Sequence, residues 1–191
     1  MGCKIYIFRH GQTAFNRDSK FTGWSESRLT KTGFEDAKII ALRLKDKKFQ
    51  IAFHTSLSRS KDTLKEVLKF HPECVKLIED DRLRERNYGS LNGKTHLQAV
   101  EKYGAEHYDK WHRGFYDKPP KGESFAIVEL RVKNFIQDLI KLIKKEKVNV
   151  AISAHGNSIR LFRKIMENAS VKETTEWFIP YDKVFEYDVL V

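Results

Sequence analysis

Two apolar runs, Lys4-Ile5-Tyr6-Ile7-Phe8 and Val148-Asn149-Val150-Ala151-Ile152-Ser153-Ala154, lie at opposite ends of the chain; Arg9-His10-Gly11 follows the first and His155-Gly156-Asn157 the second. Short continuous apolar runs of this kind read as strands covered on both faces, which places them in a largely parallel sheet flanked by helices. Open sheets of that class bind ligands beyond the carboxyl ends of their strands. The two segments are therefore expected at one edge, where two imidazoles and a guanidinium meet. A neutral imidazole nitrogen is a nucleophile toward phosphorus. A guanidinium fork, a second imidazole and the free amides of a helix N-terminus suit a phosphoryl dianion. The pattern predicts chemistry through a phosphorylated histidine.

The chain has 191 residues, 40% of them hydrophobic and including 13 Phe, 7 Tyr and 3 Trp, enough for one α/β core; residues 1–191 read as one domain. Its net charge of +10 admits nucleic acid, an acidic surface or small anionic metabolites as partners. Many lysines fall in helical stretches such as Lys133 to Lys147, where a solvated face and a basic helix C-terminus account for them. No recognition-helix, basic-zipper, ribonucleoprotein or zinc-finger pattern accompanies the charge, so no nucleic-acid partner is expected. Cys3 and Cys74 make neither a disulfide framework nor a metal-ligand set. No apolar run approaches the roughly 20 residues that span a bilayer, which predicts no membrane partner and a cytoplasmic location.

Along the chain, a polar loop from Gln12 to Arg28 precedes a helix from about Thr30 with Phe34, Ala37, Ile40, Ala41 and Leu44 on one face. Phe49 to His54 reads as a strand, and Ser58 or Arg59 opens a helix carrying Leu64, Val67 and Leu68. Val75 to Ile78 is a short strand before a charged loop with Arg82, Arg84, Glu85, Arg86 and Tyr88. Helices are expected from Thr95 to Tyr103 and from Ala105 to Arg113, then a break at Pro119-Pro120. Ser124 caps a long helix whose apolar face includes Ile127, Val128, Leu130, Val132, Phe135, Ile136, Leu139, Ile140 and Ile143. A further helix runs from about Ser158 to Met166, and a closing strand from Val184 to Val191. The alternation predicts a three-layer α/β/α sandwich with a mostly parallel central sheet and a helical cap inserted over about residues 80–122.

Arg9-His10-Gly11-Gln12-Thr13, Asn16, Phe21-Thr22-Gly23-Trp24, Arg59, Glu85-Arg86-Asn87-Tyr88-Gly89, Trp111-His112-Arg113-Gly114-Phe115, Pro119-Pro120 and His155-Gly156-Asn157-Ser158, in this order, resemble the cofactor-dependent phosphoglycerate mutases of the histidine phosphatase superfamily. The resemblance covers nearly the whole chain. It implies that His10 accepts a phosphoryl group, that Arg9, Arg59 and His155 hold that group in flight, and that Glu85 is the general acid and base. It implies that Asn16, Thr22, Gly23, Gly156 and Asn157 contact the phosphorylated substrate, while Tyr88 and Arg113 hold its far end with cap residues Lys94, His96 and His112. It further implies 2,3-bisphosphoglycerate as primer, 3-phosphoglycerate and 2-phosphoglycerate as substrates, and no metal; monomer or homo-oligomer stays open. The residues themselves add that Arg9 and Arg59 should keep His10 neutral and nucleophilic by like-charge repulsion. Trp24 and Trp111 are expected to pack.

The match departs from the family in the cap. An Arg-Arg pair usually precedes the Gly-Phe that here follows His112-Arg113, and a lysine usually stands where His96 aligns. Grip on a carboxylate is therefore expected to be weaker or to change near pH 6.5. Asn87 replaces a usual histidine, Thr55 a common serine, and the loop between Pro120 and Glu123 is short. A trimmed lid admits water, and water attack on phosphohistidine gives a phosphatase by the same first half-reaction. A phosphatase of small phosphomonoesters and a non-catalytic basic nucleic-acid binder are the alternative readings.

Overall fold

The computed structural model describes residues 2–191. In chain order the elements are β1 (Gly2–Arg9), α1 (Ala14–Arg17), α2 (Lys31–Leu44), β2 (Ile51–His54), α3 (Ser58–Leu68), β3 (Lys76–Glu79), α4 (His96–Tyr103), α5 (Ala105–Arg113), α6 (Phe125–Glu146), β4 (Val150–Ala154), α7 (Gly156–Glu167), α8 (Val171–Glu176) and β5 (Val184–Leu190). Two 3-10 turns, Asp81–Leu83 and Gly89–Leu91, lie between β3 and α4.

The strands form one sheet in the order β3-β2-β4-β1-β5. The first four are parallel, and β5 pairs antiparallel with β1. Alternation along the strands sorts the core into two layers. Ile5, Ile7, Val150 and Ile152 pack with Val128, Val132, Phe135 and Leu139 of α6 and with Ile159 and Phe162 of α7. Tyr6, Phe8, Ala52 and Ala151 pack on the other face with Ile40 and Leu44 of α2 and Leu64 and Val67 of α3. Each such fully buried aliphatic or aromatic side chain contributes about 1.5–3 kcal/mol relative to exposure.

Several boundaries differ from the sequence reading, each for a local reason. β1 begins at Gly2 rather than Lys4 because its pairing with β5 starts at Leu190. α7 begins at Gly156, not Ser158, because His155 takes the extended cap position. Ile127 and Leu130 of α6 face outward, since the 22-residue helix buries only one stripe. Phe34 is also exposed, and Gly33 is buried in its place. A Cβ on Gly11 would collide with the carbonyl of Gly33, and one on Gly33 with the carbonyl of Gln12. The loop after His10 and the start of α2 thus meet backbone to backbone. The short helices α1 and α8 carry no apolar periodicity long enough to announce them. No helix among the described residues is long and apolar enough to cross a membrane.

Candidate active site

Adjacent parallel strands β1 and β4 end in register, Arg9 opposite Ala154, so His10 and His155 emerge side by side with ring centroids 5.0 Å apart. Both rings are buried. Burial holds the pKa of His10 well below the usual value, with the positive charges of Arg59 and Arg9 adding to it. Like-charge repulsion from the arginines, expected from the sequence, comes second to desolvation. His155 is likewise held neutral, first by burial and then by Arg59. His10 Nδ1 lies 2.7 Å from its neighbour's carbonyl, Gly11 O, which places the proton there and leaves Nε2 as the lone-pair nitrogen. His155 Nε2 lies 2.8 Å from Thr55 Oγ1.

Arg59 stands in the first turn of α3, at the carboxyl edge of β2, and is fully buried. It donates to Gly23 O (2.7 Å) and Ser25 O (3.0 Å), fastening the loop after β1 over the site. Burial pushes its pKa down to about 10, so it stays a cation at neutral pH. Gly23 has φ +48°, and a Cβ there would run into Asn92, so the loop needs glycine at that point. Arg9 donates to Ile179 O (2.9 Å) and lies over the Tyr181 ring.

Glu85 is buried at the N-terminus of α7, where its Oε1 accepts from the backbone amides of Asn157 (3.1 Å) and Arg86 (2.8 Å). Three residues outside the sequence-derived set hold it there. Arg131 of α6 donates to the carbonyls of Arg82, Arg84 and Glu85 and makes a forked pair with Glu123. Glu123 in turn accepts from Asn87 N. Trp24, expected only to pack, donates its indole N–H to Glu85 O (2.8 Å) while Arg84 lies over its ring. Trp111 packs edge-on against Tyr103.

These groups surround a cavity of about 320 Å³ lined by Arg9, His10, Asn16, Thr22, Gly23, Arg59, Glu85, Tyr88, His96, His112, Gly156 and Asn157 from the sequence-derived set. His155 lies against His10, just behind that lining. Lys94 and Arg113 are not in the lining: the Lys94 carbonyl accepts from Phe21 N, and Arg113 reaches toward Thr175 O. The lining also includes Phe21, which the sequence reading named only within a motif, and Lys20, Phe178, Ile179 and Arg160, which it did not name. Arg160 was findable, one turn beyond Asn157 on the same helix face. Phe178 and Ile179 carry no local signal, coming from the connection between α8 and β5.

At the cap end of the cavity stand His96 and His112, where the sequence predicts a grip that is weaker or changes near pH 6.5. His96 and His112 stack around Phe21, at 4.3 and 6.0 Å between ring centroids, and His96 shares a hydrogen bond of 2.9 Å with Tyr108. Burial and then Arg113 push the pKa of His112 down to about 4, and burial lowers that of His96. Both shifts favour the neutral ring, and His112 is neutral at pH 7. Among the described residues, no group of three or more His, Cys, Asp or Glu stands ready to hold a metal.

A histidine pair at the carboxyl edge of the sheet, flanked by buried Arg59, half-buried Arg9 and a helix-held carboxylate, is an arrangement able to accept and pass on a phosphoryl group. Residues 5–188 match the model of the histidine phosphatase superfamily (branch 1), and the chain belongs to that family. It is 38% identical to a protein of Cytophaga hutchinsonii named 2,3-bisphosphoglycerate-dependent phosphoglycerate mutase, over 88% of this chain and 79% of that one. In fold it is similar to a phosphoglycerate mutase of Bacillus anthracis (TM-score 0.79, 22% identity, 98% of this chain and 88% of that one). It is similar too to the alpha-ribazole phosphatase of Shigella flexneri (TM-score 0.83, 21% identity, 98% and 94%).

Proposed function

We propose that this protein is a phosphoglycerate mutase that interconverts 3-phosphoglycerate and 2-phosphoglycerate through a phosphohistidine on His10. The observation that carries the reading is a set of buried polar atoms without hydrogen-bond partners at one place: Arg9 Nε, Thr22 Oγ1, Arg59 Nε and His155 Nδ1, all around His10. Buried donors are ordinarily satisfied. A phosphoryl group in front of His10 offers terminal oxygens to all four.

In the reading's first half, His10 Nε2 attacks phosphorus as the ester P–O bond breaks, and Glu85 gives the leaving oxygen its proton. Arg9, Arg59 and His155 hold the terminal oxygens, where losing one preorganised donor commonly costs about 100- to 1,000-fold in rate. In the second half Glu85 takes the proton from the accepting hydroxyl, which then receives the phosphoryl group from His10. The same unpartnered donors fit 2,3-bisphosphoglycerate, which when bound supplies the phosphoryl group that first loads His10. Incubation with 2,3-bisphosphoglycerate should leave one acid-labile phosphate on His10, read by intact-protein mass spectrometry; a protein that stays unmodified contradicts the mechanism.

A second reading, phosphatase, is favoured by the neutral rings of His96 and His112 at the cap end, where fixed cations would grip a carboxylate. The two readings part only in what receives the phosphoryl group from His10, a substrate hydroxyl or water.

A further inference from the structure

With the cap histidines neutral and Arg113 and Lys94 outside the lining, few cations remain to meet a second anionic group. One of them is Arg160 of α7. It lines the cavity, and its Nη1 donates 3.0 Å to Asn157 Oδ1 while Asn157 Nδ2 donates 3.0 Å to Tyr88 OH. This row leads from the phosphoryl site toward the cap, and Arg160 is near enough to His112 to act on its charge. Its Nε is buried and has no hydrogen-bond partner among the described residues. A guanidinium offers five N–H donors in a planar fork that matches a carboxylate. Here Nη1 is spent fixing the fork in place, and Nε is left without a partner.

We propose that Arg160 recognises the substrate's carboxylate, taking the part that the cap would otherwise fill with fixed cations. Lys20, which also lines the cavity, adds a second positive charge on that wall. The assignment rests on the phosphoglycerate reading and deepens it by naming the side chain that meets the carboxylate. It also places the specificity element on the rigid helix that carries Asn157.

Calorimetric titration of the unphosphorylated protein with D-3-phosphoglycerate and with sn-glycerol 1-phosphate, which keeps the C2 configuration and has a hydroxymethyl group in place of the carboxylate, tests this without any turnover. Wild type should prefer 3-phosphoglycerate. In Arg160→Met that preference should fall by about tenfold or more, as expected for losing hydrogen bonds to a charged group, and Arg160→Lys should recover part of it. A substitution that weakens both ligands equally shows a merely structural role through Asn157 and overturns the assignment. So does an unchanged preference, or a wild type that has none. Conversion of 3-phosphoglycerate by primed wild type is read separately, so failure of the mutase reading is seen apart from failure of the Arg160 assignment.

Discussion

The two ends of the cavity are built by different means. The phosphoryl end stands on the carboxyl edges of β1, β2 and β4, so His10, His155 and Arg59 inherit their positions from backbone pairing in the middle of the sheet. Its donors are charged or buried and several lack partners. The cap end is made of Phe21, His96, Tyr108 and His112 on short helices and loops, and these rings pack against one another at tilted angles and share the His96–Tyr108 hydrogen bond. One end waits for a ligand with many oxygens; the other is already complete as an aromatic cluster. In the proposed reading, reaction type is set at the sheet edge.

Breaking the sheet-edge end should have the largest effect. His10→Ala should lower phosphoryl transfer by roughly 10,000-fold or more, since no other nucleophile is in place. Equal activity in this variant and wild type would refute the mechanism. Glu85→Gln should cost about 100- to 10,000-fold with 3-phosphoglycerate, but much less in loading of His10 from p-nitrophenyl phosphate, whose leaving group needs no proton. Equal losses on both donors would remove Glu85 from the proton-transfer role.

Acid should act on both ends. His10, His155, His96 and His112 all have folded-state pKa values below the unfolded value of about 6.5. The unfolded chain therefore binds more protons as pH falls, so stability is full above about pH 7 and declines below about 6.5. For His112 the decline continues to about pH 4. Each histidine adds up to about 1.4 kcal/mol per pH unit inside its window. Urea unfolding as a function of pH should show this, and the double variant His96→Phe, His112→Phe should flatten the curve by the cap's share. A slope that the double variant leaves intact would mean the cap rings do not titrate on unfolding.

The smallest effect belongs to the cap alone: His112→Arg should lower KM for 3-phosphoglycerate by roughly three- to tenfold, by adding a cation beside Arg160. An unchanged KM would mean that position 112 does not face the substrate.

The sheet-edge end was legible in the sequence because its information is local. An apolar run followed by Arg9-His10-Gly11 or His155-Gly156-Asn157 states a strand, a turn and a helix start within a few residues. The cap end was not. That His96 and His112 are neutral depends on Phe21, which is far from both in sequence. That Glu85 is held by Arg131, Glu123 and Trp24 depends on contacts from three separate elements. Surface positions such as Leu130 and Phe34 were misread because periodicity gives the direction of a stripe but not its width.

Mutase and phosphatase share the loading of His10, so the most direct measurement follows both products of its discharge at once. The purified protein is incubated with 3-phosphoglycerate and a trace of 2,3-bisphosphoglycerate, and 2-phosphoglycerate and free phosphate are measured together. For a mutase, 2-phosphoglycerate is expected to form much faster than phosphate and only when the primer is present. Release of phosphate as the main product, with or without primer, would contradict the mutase reading.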